Sequence, residues 1–362
     1  MGKKIGILTF HRAVNWGAML QCYALHRSIE SLGHDVDIID YRQAHIEKAY
    51  EYSRKITDKK ELLKIIIRPR WWFGFFSRIL PNRFKMRNAK LGLVARLPHS
   101  RKFESADKFP QEYDHVVIGS DQVWANYCTD GIDEIYYGEF PHSKTKITGY
   151  AISSNIESIE ENGLARVKEL CKNFSSISFR EEGISQYLKE KIGLKSDTVI
   201  DPTLLLERKD WDNIVKDTHI HGEEDYVLTH FLNEEFEKKI LNEKLNSFAR
   251  MKRCRIVELE DVVASPEEFI AWIKKAKYII TSSFHVTVFS VIYNKDFLSL
   301  RTNNGKDIRY INLLKKFGIE NRLAEYDSVD CATIYDIDYS KVKEILTEER
   351  KASMRFLKNS LS

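Results

Sequence analysis

Between Lys4 and Tyr41 the hydrophobic period of the chain changes twice, and that alone restricts the fold to one built on a parallel sheet. Lys4 to Phe10 reads as a buried strand. His11 to Gly17 is a polar loop. Ala18 to Leu32 takes helical spacing, with Leu20, Tyr23, Ala24 and Ile29 on one side, and Gly33 stands at the helix C-cap position. Asp35 to Tyr41 returns to strand. Strand, helix and strand in this order make a βαβ unit, whose two strands run parallel.

The pattern continues. Strands are expected at His115–Ile118, Lys146–Ala151, Ser176–Phe179 and Thr198–Ile200, with helical segments between them. Pro202 marks a break, and a second series follows. Its strands are expected at Asp225–Phe231, Cys254–Leu259, Tyr278–Thr281 and Phe297–Leu300. Its helices are expected at Glu234–Met251, Pro266–Ala276 and Val286–Tyr293. The chain has 362 residues, and single hydrophobic cores stop growing at roughly 250–300. The expected fold class is therefore α/β, with two doubly wound, Rossmann-like domains facing a cleft. Residues 1–206 form the first domain, with an insertion at about 50–105. Residues 207–362 form the second, with a helical tail from Tyr339 to Ser362 that packs back on the first. Ligands of such sheets bind at the carboxyl ends of the strands.

The insertion stands apart in charge. Leu63 to Lys102 holds eleven Lys or Arg residues and no Asp or Glu, and it includes Trp71-Trp72-Phe73-Gly74-Phe75-Phe76. Basic and aromatic residues interleaved in this way suit an anionic membrane surface. They equally suit a helical insertion whose aromatics fill a core. Nucleic acid is not the expected partner, because no RNP-like pattern or helix-turn-helix accompanies the segment. The net charge of +4 is small beside 57 basic and 53 acidic residues, so partners are read from local charge. The five cysteines are scattered and never form a CxxC, which points to a reducing, cytoplasmic compartment and to no metal site. The apolar run Ile5–Leu8 is too short for a signal-peptide core.

Four motifs fall just after expected strands. His11-Arg12-Ala13-Val14-Asn15-Trp16-Gly17-Ala18 precedes a helix, where Gly17 lets a ligand approach the backbone and amides attract anions; it also reads as a tight strand-to-helix turn. Gly119-Ser120-Asp121-Gln122-Val123-Trp124 presents three side chains able to bond sugar hydroxyls. Asp121 can accept a hydroxyl proton, or the segment can be an N-cap. Ser178-Phe179-Arg180-Glu181-Glu182 ends a strand on Arg180, suited to phosphate or carboxylate, or else to a structural pair with a neighbouring Glu. Thr281-Ser282-Ser283-Phe284-His285-Val286 places Ser283 to cap a helix and donate to phosphate, and His285 to act as acid, base or anion ligand. No Gly-x-Ser-x-Gly elbow, zinc spacing or dinucleotide fingerprint is present.

Taken in order, these stretches resemble the polysaccharide pyruvyl transferase family. The likeness runs through Gly6–His11, Asn15–Leu25, Gly119–Trp124, Ser178–Glu181, Asp201–Leu205 and Ser283–Ser290, with a weaker stretch at Arg309–Leu314. The resemblance implies a fold like the GT-B glycosyltransferases, phosphoenolpyruvate as donor, and a sugar or lipid-linked oligosaccharide as acceptor. It associates Arg180 and His285 with the donor and carries Asp121 over as the third catalytic residue. Asn15, Gly17, Ser120, Gln122, Ser283 and Arg309 are the expected substrate-binding residues. The implied chemistry protonates the methylene carbon of the donor, admits a sugar hydroxyl at the adjacent carbon, releases phosphate and closes a pyruvate ketal. It needs no cofactor. The chain departs from the family pattern at Ser282, where Asp is expected, and at Val286, where Gly is expected. Two other readings share the architecture: a nucleotide-sugar glycosyltransferase, and a non-catalytic sugar-binding protein of the same pathway.

Overall fold

A computed structural model describes residues 2–49, 89–141, 144–220, 224–232, 234–301, 307–326, 329, 331, 334 and 337–362. Two parallel sheets carry the molecule. The first orders its strands β2-β1-β3-β4-β5-β6, from β1 (Lys4–Leu8), β2 (Asp35–Ile38), β3 (His115–Ile118), β4 (Lys146–Ile152), β5 (Ser176–Phe179) and β6 (Asp197–Thr198). The second orders them β11-β10-β9-β7-β8, from β7 (Tyr226–His230), β8 (Arg255–Glu258), β9 (Tyr278–Thr281), β10 (Asp296–Leu300) and β11 (Leu323–Ala324). All pairings are parallel. Both sheets are the doubly wound α/β domains expected from the sequence. Strand direction of winding reverses between β1 and β3 in one and between β7 and β9 in the other, and crevices for ligands open at such points.

The strands form in short stretches rich in Val, Ile, Leu and aromatic residues. His115–Ile118 and Tyr226–His230 are buried along their whole length, as central parallel strands must be. Element edges moved for identifiable reasons. The first helix begins at Trp16 because Asn15 caps it, its side chain accepting from the Gly17 amide at 2.8 Å. It ends at Glu30, and Ser31 rather than Gly33 is the C-cap. The last strand of the first sheet stops at Thr198, short of the expected Ile200, and the Ile200 amide donates to Ser353 Oγ at 3.1 Å instead. The helix after β9 starts at Phe284, two residues before the expected Val286, which puts His285 in its first turn.

The tail helix, Tyr339–Ser360, ties the two sheets together. Arg350 donates to the carbonyls of Leu204 and Leu206 at 2.9 and 3.2 Å, and Ser360 bonds Ser176 at 2.9 Å. At its other end Tyr339 donates to the Lys295 carbonyl at 2.5 Å, and Lys316 pairs with Glu349 at 2.8 Å. One contiguous apolar cluster spans both sheets. Trp16 stacks on Phe269 and Trp211 meets Phe289 edge-on at 4.9 Å between centroids.

Residues 63–88 of the basic and aromatic segment lie outside the described residues. From residue 89 the chain packs inward: Leu91, Leu93 and Val94 are buried, the Lys90 ammonium sits 4.6 Å over the Trp16 ring, and Arg96 pairs with Glu267 across the domains. Among the described residues no helix is long and apolar enough to cross a membrane.

Candidate active site

A cleft of about 510 Å³ opens where the two switch points face each other. Its first-domain wall is built by the loops after β1 and β3, and its second-domain wall by those after β7 and β9. Each wall owes its shape to local bonding. On the first, Gln21 is buried in its helix and donates to Thr9 Oγ1 at 3.0 Å, while Thr9 donates to the Ser120 carbonyl at 2.8 Å. This relay fixes the loop that carries Asp121. Asp121 itself takes φ = 81°, a left-handed conformation that side chains adopt reluctantly. The Ser153 amide donates to its carbonyl at 3.0 Å and the Gln122 amide to its Oδ1 at 2.9 Å.

Asn15, Gly17, Asp121, Gln122, Ser283, His285 and Arg309 all line this cleft. Their tasks differ in detail. Asn15 caps the first helix. Gln122 donates to the Tyr127 hydroxyl, and both side chains reach the cleft. Ser283 occupies the N-cap position of its helix, yet its side chain makes no capping bond and is left to the cleft. Ser120 is fully buried and does not line the cleft; its hydroxyl has no hydrogen-bond partner among the described residues.

Gly17 is explained by its neighbour across the cleft. A Cβ placed there would lie 1.9 Å from His285 Nδ1 and 2.3 Å from Cε1. The absent side chain is what lets the first helix seat against the imidazole of the other domain. Gly17→Ala is expected to displace His285 or part the walls. Turnover should fall at least tenfold, while unfolding midpoints shift by only a few degrees. Wild-type kinetics in that variant would overturn the close approach.

Arg180 departs from expectation. It directly follows β5, but its head does not line the cleft. It is buried behind Phe284, 4.7 Å over that ring, and opens into an adjoining cavity of about 340 Å³. Nε donates to Glu181 Oε1 at 3.1 Å and Nη1 to Asp201 Oδ2 at 2.6 Å; Nη2 has no partner among the described residues. Arg309 lies 5.6 Å over the same Phe284 ring, and both it and Phe284 line the cleft and the second cavity alike. Two guanidinium groups thus lie over one ring, which borders both spaces. Burial by itself lowers the basicity of Arg180, but Glu181, Asp201 and Asp121 outweigh it and hold the charge firmly on.

His285 is buried, and its Nε2 is 3.9 Å from Asp201 Oδ2 without a hydrogen-bond partner among the described residues. Burial pushes its pKa down to about 4, with Asp201 opposing and Arg180 and Arg309 assisting. A neutral imidazole with a vacant nitrogen next to two arginines is arranged to meet an anion or to pass a proton. Asp201 is drawn below the usual carboxylate range: burial acts the other way, and Arg180, His285 and Thr203 prevail.

Sequence reasoning missed several residues of the two spaces. Asp201 stood inside a recognised stretch but was given no task; it lines the second cavity and holds Arg180. His230, the last residue of β7, and Glu260 also face the cleft. The available signal for His230 was its place at the end of the Tyr226–Thr229 strand, the same signal that singled out His285. Ser282, standing where Asp was expected, bonds the loop after β7, its Oγ accepting from the Leu232 amide at 2.9 Å. Val286 is fully buried in the core. Among the described residues no group of three or more His, Cys, Asp or Glu side chains is placed to hold a metal ion.

Comparison with known proteins adds the following. A profile described as polysaccharide pyruvyl transferase matches residues 15–304. No curated protein matches the chain. Solved structures of similar fold include the MnaA–UDP co-structure from S. aureus, at 11% identity over 96% of this chain and 88% of that one, with a TM-score of 0.48. They include UDP-GlcNAc 2-epimerase of Methanocaldococcus jannaschii with UDP-GlcNAc and UDP, at 13% identity over 99% and 98%, TM-score 0.48. The glycosyltransferase SnogD from Streptomyces nogalater aligns at 12% identity over 98% and 95%, TM-score 0.40.

Proposed function

Because the chain belongs to the polysaccharide pyruvyl transferase family, we propose that its cleft moves the enolpyruvyl unit of phosphoenolpyruvate onto a sugar and closes a pyruvate ketal. The observation that carries this reading is His285: a buried imidazole whose Nε2 has no hydrogen-bond partner among the described residues, next to a Phe284 ring that both Arg309 and Arg180 lie over. The donor bears a phosphate and a carboxylate, so it needs cationic groups at two places. Arg309, which lines the cleft, and Arg180, which lies over the same ring and lines the adjoining cavity, offer planar forks that suit both anions where the two spaces meet. Ser283, with an uncommitted cap position, is a further donor to phosphate. Asp121 and Gln122 on the facing wall, next to the Tyr127 ring, suit the hydroxyls of a sugar.

In this scheme the donor methylene carbon takes a proton from His285, which the bound anion has made cationic. The neighbouring carbon gains oxocarbenium character. A sugar hydroxyl adds to it, phosphate departs with the electron pair of the broken C–O bond, and a second hydroxyl closes the ketal. The acceptor belongs to a surface polysaccharide or its lipid-linked precursor. A cytoplasmic setting with peripheral contact between residues 63–102 and the membrane forms part of the same proposal.

The test is phosphate release from phosphoenolpyruvate, with simple and lipid-linked sugars as acceptors. Acceptor-dependent release is the expected result. No release with any acceptor, together with thermal stabilisation by nucleotide sugars and none by phosphoenolpyruvate, would overturn the reading in favour of glycosyl transfer.

A further inference from the structure

We propose that His230, backed by Glu260, is the base that removes the proton of an acceptor hydroxyl; this assignment rests on the reaction proposed above. Three observations converge on it. The first is position. In the second sheet the winding reverses between β7 and β9, and ligands bind at the carboxyl ends of strands at such a point. His230 ends β7, and His285 follows β9 by four residues, so the same crevice receives both. Each lines the cleft that Asp121 enters from the other side.

The second is fixation. The His230 carbonyl accepts from Thr281 Oγ1 at 2.8 Å and from the Ser282 amide at 3.1 Å. The Ser282 hydroxyl in turn holds the Leu232 amide. The residue at 282 therefore serves the placement of His230. The third is pairing. His230 is 8% exposed, and its Nδ1 lies 3.5 Å from Glu260 Oε1. Glu260 is half exposed on the cleft wall. At this ion-pair distance Glu260 supplies the counter-charge for the imidazolium that forms when His230 takes a proton. A histidine serving only the core would not be set on the cleft wall with a carboxylate beside it.

The chemistry requires such a group. One proton is consumed at the donor methylene carbon and two are shed by the hydroxyls that become ketal oxygens. One of these restores the acid, and the other leaves on phosphate as hydrogen phosphate. The C–O bond of the phosphate ester breaks, two C–O bonds to the sugar form across the two additions, and the donor C=C bond is spent on the new C–H bond. No oxidant or reductant enters. His285 holds the donor side of this exchange, and His230 takes the hydroxyl side.

The experiment compares wild type, His230→Gln, His230→Ala and Glu260→Gln in the acceptor-dependent phosphate-release assay, with phosphoenolpyruvate binding and thermal unfolding measured in parallel. Both His230 variants are expected to lose about a hundredfold to a thousandfold in kcat and to bind phosphoenolpyruvate within about twofold of wild type. Added imidazole should restore part of the activity of His230→Ala. Glu260→Gln should lose less. Wild-type kcat in His230→Gln, or a loss confined to phosphoenolpyruvate binding, would overturn the assignment alone. Absence of turnover in wild type itself would overturn the reaction, and this assignment with it.

Discussion

Arg180→Met is expected to destabilise the protein by about 3–5 kcal/mol, the usual cost of removing one partner of a buried ion pair. The guanidinium is almost wholly buried, with Glu181 and Asp201 at 3.1 and 2.6 Å. Both carboxylates are as deeply buried as the arginine. Methionine would fill much of the volume and leave two negative charges without a counter-charge. Lysine keeps one charge but not the fork, and a single ammonium cannot span both carboxylates, so Arg180→Lys should fall between. The pH dependence has a definite sign. In the native protein Asp201 titrates below its ordinary range. Its stabilising contribution is therefore present above the ordinary carboxylate pKa and is lost as pH falls through the lower, folded value. In Arg180→Met the largest charge opposing burial is gone, so protonation of Asp201 becomes easier. The deficit of the variant should be greatest near neutrality and should shrink toward about pH 5. Denaturant unfolding at several pH values measures it. A deficit below about 1 kcal/mol, or one that grows in acid, would contradict this account.

The limits of reading the sequence show in the same residue. Arg180 was recognisable as a cation at a strand end, because an apolar strand that finishes on Arg must deliver its head to the sheet edge. What lies past that edge was not legible. Whether the head enters a cleft or turns behind Phe284 depends on a ring from the other sheet, more than a hundred positions away in the chain. The strands themselves were legible for a local reason. His115–Ile118, Ser176–Phe179 and Tyr278–Thr281 sit where they were expected, since short β-branched runs bounded by polar loops leave little choice. Edges moved where a distant partner intervened, as Ser353 does at Ile200. β11 escaped notice because it is two residues long and pairs only with β10. Gly17 was assigned to ligand approach, and what approaches it in this structure is the His285 ring. Ser120 shared a motif with Asp121 and Gln122, but the loop bends there, with Asp121 left-handed, and the Ser120 side chain is left facing the interior.

His285→Ala and His285→Gln are expected to lose turnover by at least about a hundredfold while keeping the fold. The side chain makes no hydrogen bond at Nε2 that its loss would break, and glutamine retains bulk against Gly17. The ring also sets a proton ledger that activity alone does not report. Its folded pKa of about 4 lies below the ordinary 6.5 of an imidazole, so the unfolded chain binds a proton there that the native state excludes. Stability from this site is full above about pH 6.5 and declines as pH falls toward 4. His285→Gln should lose that part of the acid sensitivity. In the proposed reaction, binding of phosphoenolpyruvate is expected to reverse the balance. A phosphate dianion beside the imidazole favours its charged form, so the complex should take up a proton at pH 7.5, where the free ring is neutral. Calorimetric titration in two buffers of different ionisation enthalpy measures that uptake directly. It should approach one proton for wild type if the ring becomes fully charged, and vanish for His285→Gln. Equal uptake by both proteins would place the proton elsewhere, and normal turnover by His285→Ala would remove this residue from the reaction. Uptake that disappears together with turnover would identify His285 as the group that both meets the donor phosphate and protonates its methylene carbon.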